Sequence, residues 1–176
     1  MTLRRPRYAH IKRVVASLLH ENSIVKAAVP VERLARDAGI EIRLGDLGET
    51  SGLLARRSGF TIIGVNSTQH ETRQRFTIAH EFGHYLLHEG LESHVDRDYR
   101  IAFRDKTSSD ASSVIEMEAN FFAANLLMPE EFLQKDGGED AIDHDEEVAK
   151  LAKRYKVSRH AMSLRLTNIY GHLRPY

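Results

Sequence analysis

The chain contains no cysteine, which removes disulfide frameworks, thiol nucleophiles and every thiolate metal site. Any metal site must therefore be built from His, Asp and Glu. Nor is one sign of charge in excess. Against 25 Lys and Arg stand 25 Asp and Glu, with a pI near 7.2, which argues against a protein held on nucleic acid or anionic membrane by bulk electrostatics. No apolar stretch approaches the roughly 18–20 residues needed to cross a bilayer. The short apolar run Val14 to Leu19 follows a basic segment, but no small-residue cleavage pattern precedes Glu21 and Asn22. It is read as helix rather than leader, and a cytoplasmic protein is expected. What remains is ordinary globular composition, 176 residues with 41% apolar and 28% charged, and a single domain over 1–176 is the expectation.

Periodicity divides the chain into a helical start, a small sheet and a helical remainder. Ile11, Val14, Val15, Leu18 and Leu19 form the stripe of an amphipathic helix. Pro30 suits a first helical position and Gly39 a helix end, so N-terminal helices are expected within 7–39. Ile40, Ile42 and Leu44 alternate with charged residues, and the runs Gly52 to Arg56 and Phe60 to Val65 flank the turn-like Arg57-Ser58-Gly59. This predicts a sheet within 40–66. Helical spacing returns over 71–89 and 113–128, the latter stopped by Pro129, and again in a tail over 147–170. Leu91 to Asp110 is polar and aperiodic and reads as a long loop. The fold class expected is α+β, mostly helical, with an antiparallel or mixed sheet of three or so strands.

Histidine is concentrated. Five of the ten fall between His70 and His94, and the expected helix over 71–89 contains His80-Glu81-Phe82-Gly83-His84. In this H-E-x-x-H pattern, residues i and i+4 project from one helix face, so two imidazoles can hold one zinc ion while Glu81 reaches the reacting water as general base. Ala79 and Gly83 are small and would let another element approach the helix closely.

Such a site needs a third protein ligand and an open position. A third histidine in the H-E-x-x-H-x-x-G-x-x-H continuation would fall at position 90, which is Gly90. The candidates are His88, His94, Glu116 and Glu118. His88 lies one turn further along the same helix and is read as a cap or a group behind the ligands; His94 falls in the expected loop. In the helix after Ser113, Ile115, Ala119, Phe122, Ala123, Leu126 and Leu127 define the apolar face at 100° per residue. Glu116 falls at its edge, with Asn120 one turn on, placed to orient Glu116 or a histidine. Glu118 points away and is read as solvated. Glu116 has a competing reading, since Ser113-Val-Ile-Glu116 is also an S-x-x-E capping box.

The strings Arg75-Phe-Thr-Ile-Ala-His-Glu-Phe-Gly-His-Tyr-Leu-Leu-His88 and Glu116-Met-Glu-Ala-Asn-Phe-Phe-Ala-Ala-Asn-Leu-Leu-Met-Pro129 resemble the ImmA/IrrE family of zinc metallo-endopeptidases. The likeness extends to Pro30 through Gly39 and to the tail after Glu147. The resemblance implies a zincin-like fold with a gluzincin-like site: His80, His84 and Glu116 as metal ligands, Glu81 as the catalytic glutamate and Asn120 behind them. It implies zinc as cofactor, with manganese left open. It also implies an intracellular protein substrate, typically a helix-turn-helix repressor, whose loss relieves repression of mobile-element or stress-response genes.

Two further expectations concern partners. The strand Phe60 to Val65, just before the metal helix, is taken as the edge along which an extended substrate pairs. The tail around Leu151 to Ala161 reads like helix, turn and recognition helix, with Arg154, Lys156, Arg159, His160 and Arg165 as positive charge. A DNA-binding regulator, or one that binds a repressor without cutting it, is therefore the alternative function. The balanced charge favours packing helices instead, with Ala152, Val157, Met162 and Leu166 as their core. The acidic stretch Asp136 to Glu147 is read as a solvated loop.

Overall fold

The computed structural model describes residues 5–57, 59–90, 93–96 and 111–171. In α1 (Tyr8–Glu21) the predicted stripe is the buried one, with Ile11, Val15 and Leu19 in the core. The run once comparable to a leader is thus part of the packing. In α2 (Val31–Asp37) Pro30 sits one position ahead of the helix as its N-cap, and Gly39 leaves it at φ +83°, a left-handed conformation that glycine adopts without a Cβ clash.

The chain then lays down β1 (Ile40–Gly45), β2 (Gly52–Arg57) and β3 (Phe60–Asn66), followed by α3 (Glu71–Leu87) and β4 (Ser93–Asp96). The strands form one mixed sheet in the order β1-β3-β2-β4, with β1 parallel to β3 and the other pairs antiparallel. Two expectations change here. A fourth strand occupies part of the predicted loop 91–110; its four residues hold one apolar side chain, too few for an alternating signal. The rest of that loop, 91–92 and 97–110, lies outside the described residues. The second change concerns β3, which is the central strand with β1 on one side and β2 on the other. Its backbone is committed to both neighbours, so substrate cannot pair along 60–65. The nearly continuous apolar run Ile62-Ile63-Gly64-Val65 is that of a strand covered on both faces, not of an edge. The sheet edges are β1 and β4.

Register decides what β4 presents. Ile42 pairs with Ile63, Ile63 with Leu54, and Leu54 with His94, so these side chains form one row across the sheet. Leu54 and Ile63 are fully buried, and His94 is carried to the end of that same buried row.

Next come α4 (Ala111–Leu127), α5 (Glu130–Lys135), α6 (Gly138–Ala141), α7 (Asp145–Tyr155) and α8 (Arg159–Tyr170). Pro129 ends α4 and caps α5. Gly83 lets α4 lie close on α3, since a Cβ there would meet the Phe122 ring at 2.9 Å. Phe82 and Phe122 meet edge to face with centroids 6.0 Å apart. On another flank of α4, α1 packs through Tyr8 and Phe121, centroids 4.5 Å apart.

In the tail Ala152, Val157, Met162 and Leu166 are buried, as packing helices require. Arg165 does not supply surface charge. It is buried, donating to the Met128 carbonyl at 3.1 Å and to Asn125 Oδ1 at 2.9 Å. The acidic stretch is partly structural as well: Asp136 accepts from the Tyr155 hydroxyl and from Arg154, both at 2.8 Å. Among the described residues no helix is long and apolar enough to cross a membrane.

Candidate metal centre

His80, Glu81 and His84 lie on the buried face of α3. The i, i+4 spacing brings His80 Nε2 and His84 Nε2 to 3.1 Å. Because α4 presses against α3 at Gly83, Glu116 reaches the same point, with Oε2 3.3 Å from His80 Nε2 and Oε1 3.4 Å from His84 Nε2. Two nitrogens and a carboxylate thus form a triangle of donor groups, each nitrogen facing its own oxygen of Glu116. Metal bonds of 2.0–2.1 Å to such donors place neighbouring ligand atoms of a tetrahedral ion about 3.3–3.4 Å apart. The donor set and its spacing fit a metal ion.

The outward nitrogens of both rings are occupied. His80 Nδ1 lies 3.0 Å from Asn120 Oδ1, and His84 Nδ1 lies 3.1 Å from His88 Nδ1. Asn120 therefore orients a histidine, as its place one turn from Glu116 predicts. Donation from Nδ1 leaves Nε2 with a bare lone pair aimed into the triangle. Two such lone pairs 3.1 Å apart repel each other, and a cation between them removes the repulsion.

The remaining side is taken by His94, which sequence reasoning kept only as an outside candidate. Its Nε2 is 2.7 Å from Glu116 Oε1 and its Nδ1 is 3.1 Å from Glu81 Oε2. His80, His84, His94 and Glu116 each offer a donor atom within 4.8 Å of the others. The first of the His94 distances is shorter than a ligand–ligand edge and is that of an N–H donating to a carboxylate. The strand register that delivers His94 has no counterpart in helical periodicity.

Glu118 corrects the sequence reading. It is only 3% exposed. Arg7 donates to it from the backbone N–H at 2.7 Å and from Nη2 at 2.6 Å, and His88 Nε2 lies 3.1 Å away. The face argument assumed a solvated side, yet α4 is covered by α3 on one flank and by the start of α1 on another. Glu116, not Glu118, meets the histidines. The capping-box alternative for Glu116 loses its geometry because the helix already begins at Ala111; the Ser113 side chain lies outside the described residues. No motif announces Arg7, which is 111 residues from Glu118 in sequence.

The electrostatics follow from burial and these bonds. Burial pulls His84 down to about 3 and also lowers His88, so both rings are neutral. Burial would raise Glu116, but the imidazoles of His80, His84 and His94 that face it, with His94 donating its N–H, outweigh burial and hold the carboxyl well below the usual carboxylate range. Burial would lower His94, but its bonds to Glu116 and Glu81 lift it to about 10. Glu118, pushed up by burial, is brought down to about 2 by Arg7 and His88.

Comparison with known proteins places the chain in a family. A family model described as the IrrE N-terminal-like domain, a peptidase family, matches residues 35–167. The metallopeptidase ImmA of Bacillus subtilis is 29% identical over 96 residues, 54% of this chain and 52% of that protein. The radiation response metalloprotease IrrE of Deinococcus radiodurans is 33% identical over 135 residues, 73% of this chain and 37% of that protein. A solved structure titled Mycobacterium tuberculosis transcriptional regulator superposes with a TM-score of 0.60 at 15% identity, covering 90% of this chain and 46% of that one, a likeness of fold. The chain spans about half or less of the length of these relatives. The matched segment contains both α3 and α4, and the chain belongs to the IrrE N-terminal-like family of peptidases.

Proposed function

We propose that this chain is a cytoplasmic zinc-dependent endopeptidase that cleaves a helix-turn-helix repressor and so relieves repression. The observation that carries the reading is the convergence of His80 Nε2, His84 Nε2 and the two Glu116 carboxylate oxygens, with neighbouring atoms 3.1–3.4 Å apart, and Glu81 joined to the group through His94. Zinc bound there supplies a Lewis acid for the scissile carbonyl and lowers the pKa of water to about 7. Glu81 adjoins His80 in sequence and is fully buried. It takes a proton from the attacking water, the water oxygen bonds to the carbonyl carbon, the C–N bond breaks, and the proton passes to the departing amine. Asn120 holds the His80 ring, and His94 steadies the Glu81 carboxylate. β4 is the sheet edge that carries a site residue, and among the described residues nothing pairs with its outer side. An extended substrate segment adds there through main-chain hydrogen bonds. The substrate class rests on the resemblance to ImmA/IrrE, and the charge balance of the chain supports a protein substrate over DNA.

Mass spectrometry of the intact protein under native conditions, with a repressor cleavage assay alongside, tests this. The wild type is expected to hold about one zinc per chain, Glu116→Ala to lose it, and Glu81→Gln to keep it while cleavage disappears. Absence of metal in zinc-supplied wild type would remove the mechanism. Repressor relief that survives Glu81→Gln would instead identify a regulator that binds without cutting.

A further inference from the structure

One group of polar side chains beside the triangle has no part in the steps above. His88, Glu118 and Arg7 run in a line from the far side of the His84 ring to the start of α1. His84 Nδ1 lies 3.1 Å from His88 Nδ1, and His88 Nε2 lies 3.1 Å from Glu118 Oε2. Glu118 is gripped by the Arg7 backbone N–H at 2.7 Å, by Nε at 3.0 Å and by Nη2 at 2.6 Å. The same Nη2 donates to the Leu87 carbonyl at the end of α3, at 3.0 Å.

With both rings neutral, as a metal-binding His84 Nε2 requires, the donor and acceptor roles along this line are fixed. A carboxylate only accepts, so the proton between His88 and Glu118 belongs to His88 Nε2. A neutral ring protonated there has a bare lone pair at Nδ1. The proton between the two histidines must then belong to His84 Nδ1, and His84 Nε2 is left bare toward His80 and Glu116. One carboxylate thus sets the tautomer of two rings in sequence.

We propose that Arg7, Glu118 and His88 form a positioning relay that fixes the His84 tautomer and ring orientation, presenting Nε2 to the metal. The proposal rests on the metal reading above. The relay makes the N-terminal residue Arg7 a functional part of a site otherwise built from α3, α4 and β4. Carboxylate–histidine pairs behind a ligand raise its basicity, and their loss weakens metal binding about 10–100-fold. Here an extra imidazole stands between carboxylate and ligand, and the guanidinium keeps the carboxylate aligned.

The test uses the full chain labelled with 15N in its histidine rings, in which long-range 1H–15N correlation spectra report each tautomer. Zinc affinity is read in parallel by competition with a chromophoric chelator. The relay predicts a proton on Nδ1 of His84 in the wild type. It predicts a loss of zinc affinity of about 10–100-fold in His88→Ala, and recovery to within about threefold of wild type in His88→Gln. The glutamine carbonyl can accept from His84 while its amide donates to Glu118, which a purely space-filling role would not distinguish. Arg7 is half-exposed and removable without a cavity, so Arg7→Ala serves where a His88 variant does not fold, with an expected loss of about 3–10-fold. Wild-type affinity in folded His88→Ala or Arg7→Ala, or a His84 proton on Nε2, would overturn the relay. A wild type that shows the Nδ1 tautomer yet takes no zinc would uphold the relay's hydrogen bonding and overturn the metal reading alone.

Discussion

At Gly83 α4 presses closely on α3, and the metal triangle depends on that closeness. A Cβ at this position would stand 2.9 Å from Phe122 Cδ1 and 3.2 Å from Phe122 Cβ, and neither atom is the free end of a flexible chain. Gly83→Ala gains about 0.5–1 kcal/mol of helix propensity but forces overpacking that costs about 1–3 kcal/mol. We expect a net loss of about 1–2 kcal/mol in urea unfolding, together with weaker zinc binding as Glu116 is pushed from the histidines. An alanine variant as stable as wild type, with unchanged zinc affinity, would show that the helices have slack. At this scale much of the site was legible. His80, Glu81 and His84 follow from i, i+4 spacing, and the small residue between them foretold the close approach. Glu116 and Asn120 followed from a helical wheel. The same wheel misjudged Glu118, because it sees one helix and not the Arg7 that covers its far side.

Elements were legible where one period ran long enough. The stripe in α1, the H-E-x-x-H helix and the stop at Pro129 all read directly, whereas β4, four residues with a single apolar member, left no trace. The central place of β3 depended on which strands pair across the intervening hairpin, and such long-range pairing has no local signature. The tail shows the same limit. Charge pattern alone made Arg165 a surface cation, yet it is buried against the end of α4, with its pKa lowered by burial to about 10 and its charge retained at neutral pH. There it donates to the Met128 carbonyl, while Asn125, its other partner, donates back to the Phe121 carbonyl at 2.7 Å. Replacing it by methionine keeps much of the volume and removes those donors. Leaving such buried acceptors without a partner costs about 1–3 kcal/mol. Arg165→Met should therefore lower the unfolding free energy by that amount, read as a lower urea midpoint at an unchanged slope. An unaltered midpoint would mean that water reaches the end of α4 and that Arg165 is free for another role.

For the whole molecule, the question is whether the metal holds the fold or only completes the site. A continuous buried cluster runs from Ile11 in α1 through Leu54 and Ile63 in the sheet, Phe82 and Phe122 in the metal helices, to Leu166 in α8. All of it is formed by apolar side chains that owe nothing to a ligand. A chain of this size buries enough surface to fold without a metal staple, unlike a zinc finger. Metal bound as proposed then acts by mass action on an already folded protein. At a free zinc concentration one hundred times Kd it adds about 2.7 kcal/mol, worth about 5–10 °C in Tm for a domain of this length. Chelation should lower Tm by that much while far-UV circular dichroism at 25 °C stays unchanged. The increment should grow by about 1.4 kcal/mol for each further tenfold rise in zinc. His88→Ala gives an internal control, since weaker binding must shrink its chelation shift at the same zinc concentration. Loss of the circular dichroism signal on chelation at 25 °C would overturn this view. The triangle of His80, His84 and Glu116 would then be holding α3 and α4 together, and the apolar cluster would be a consequence of metal binding.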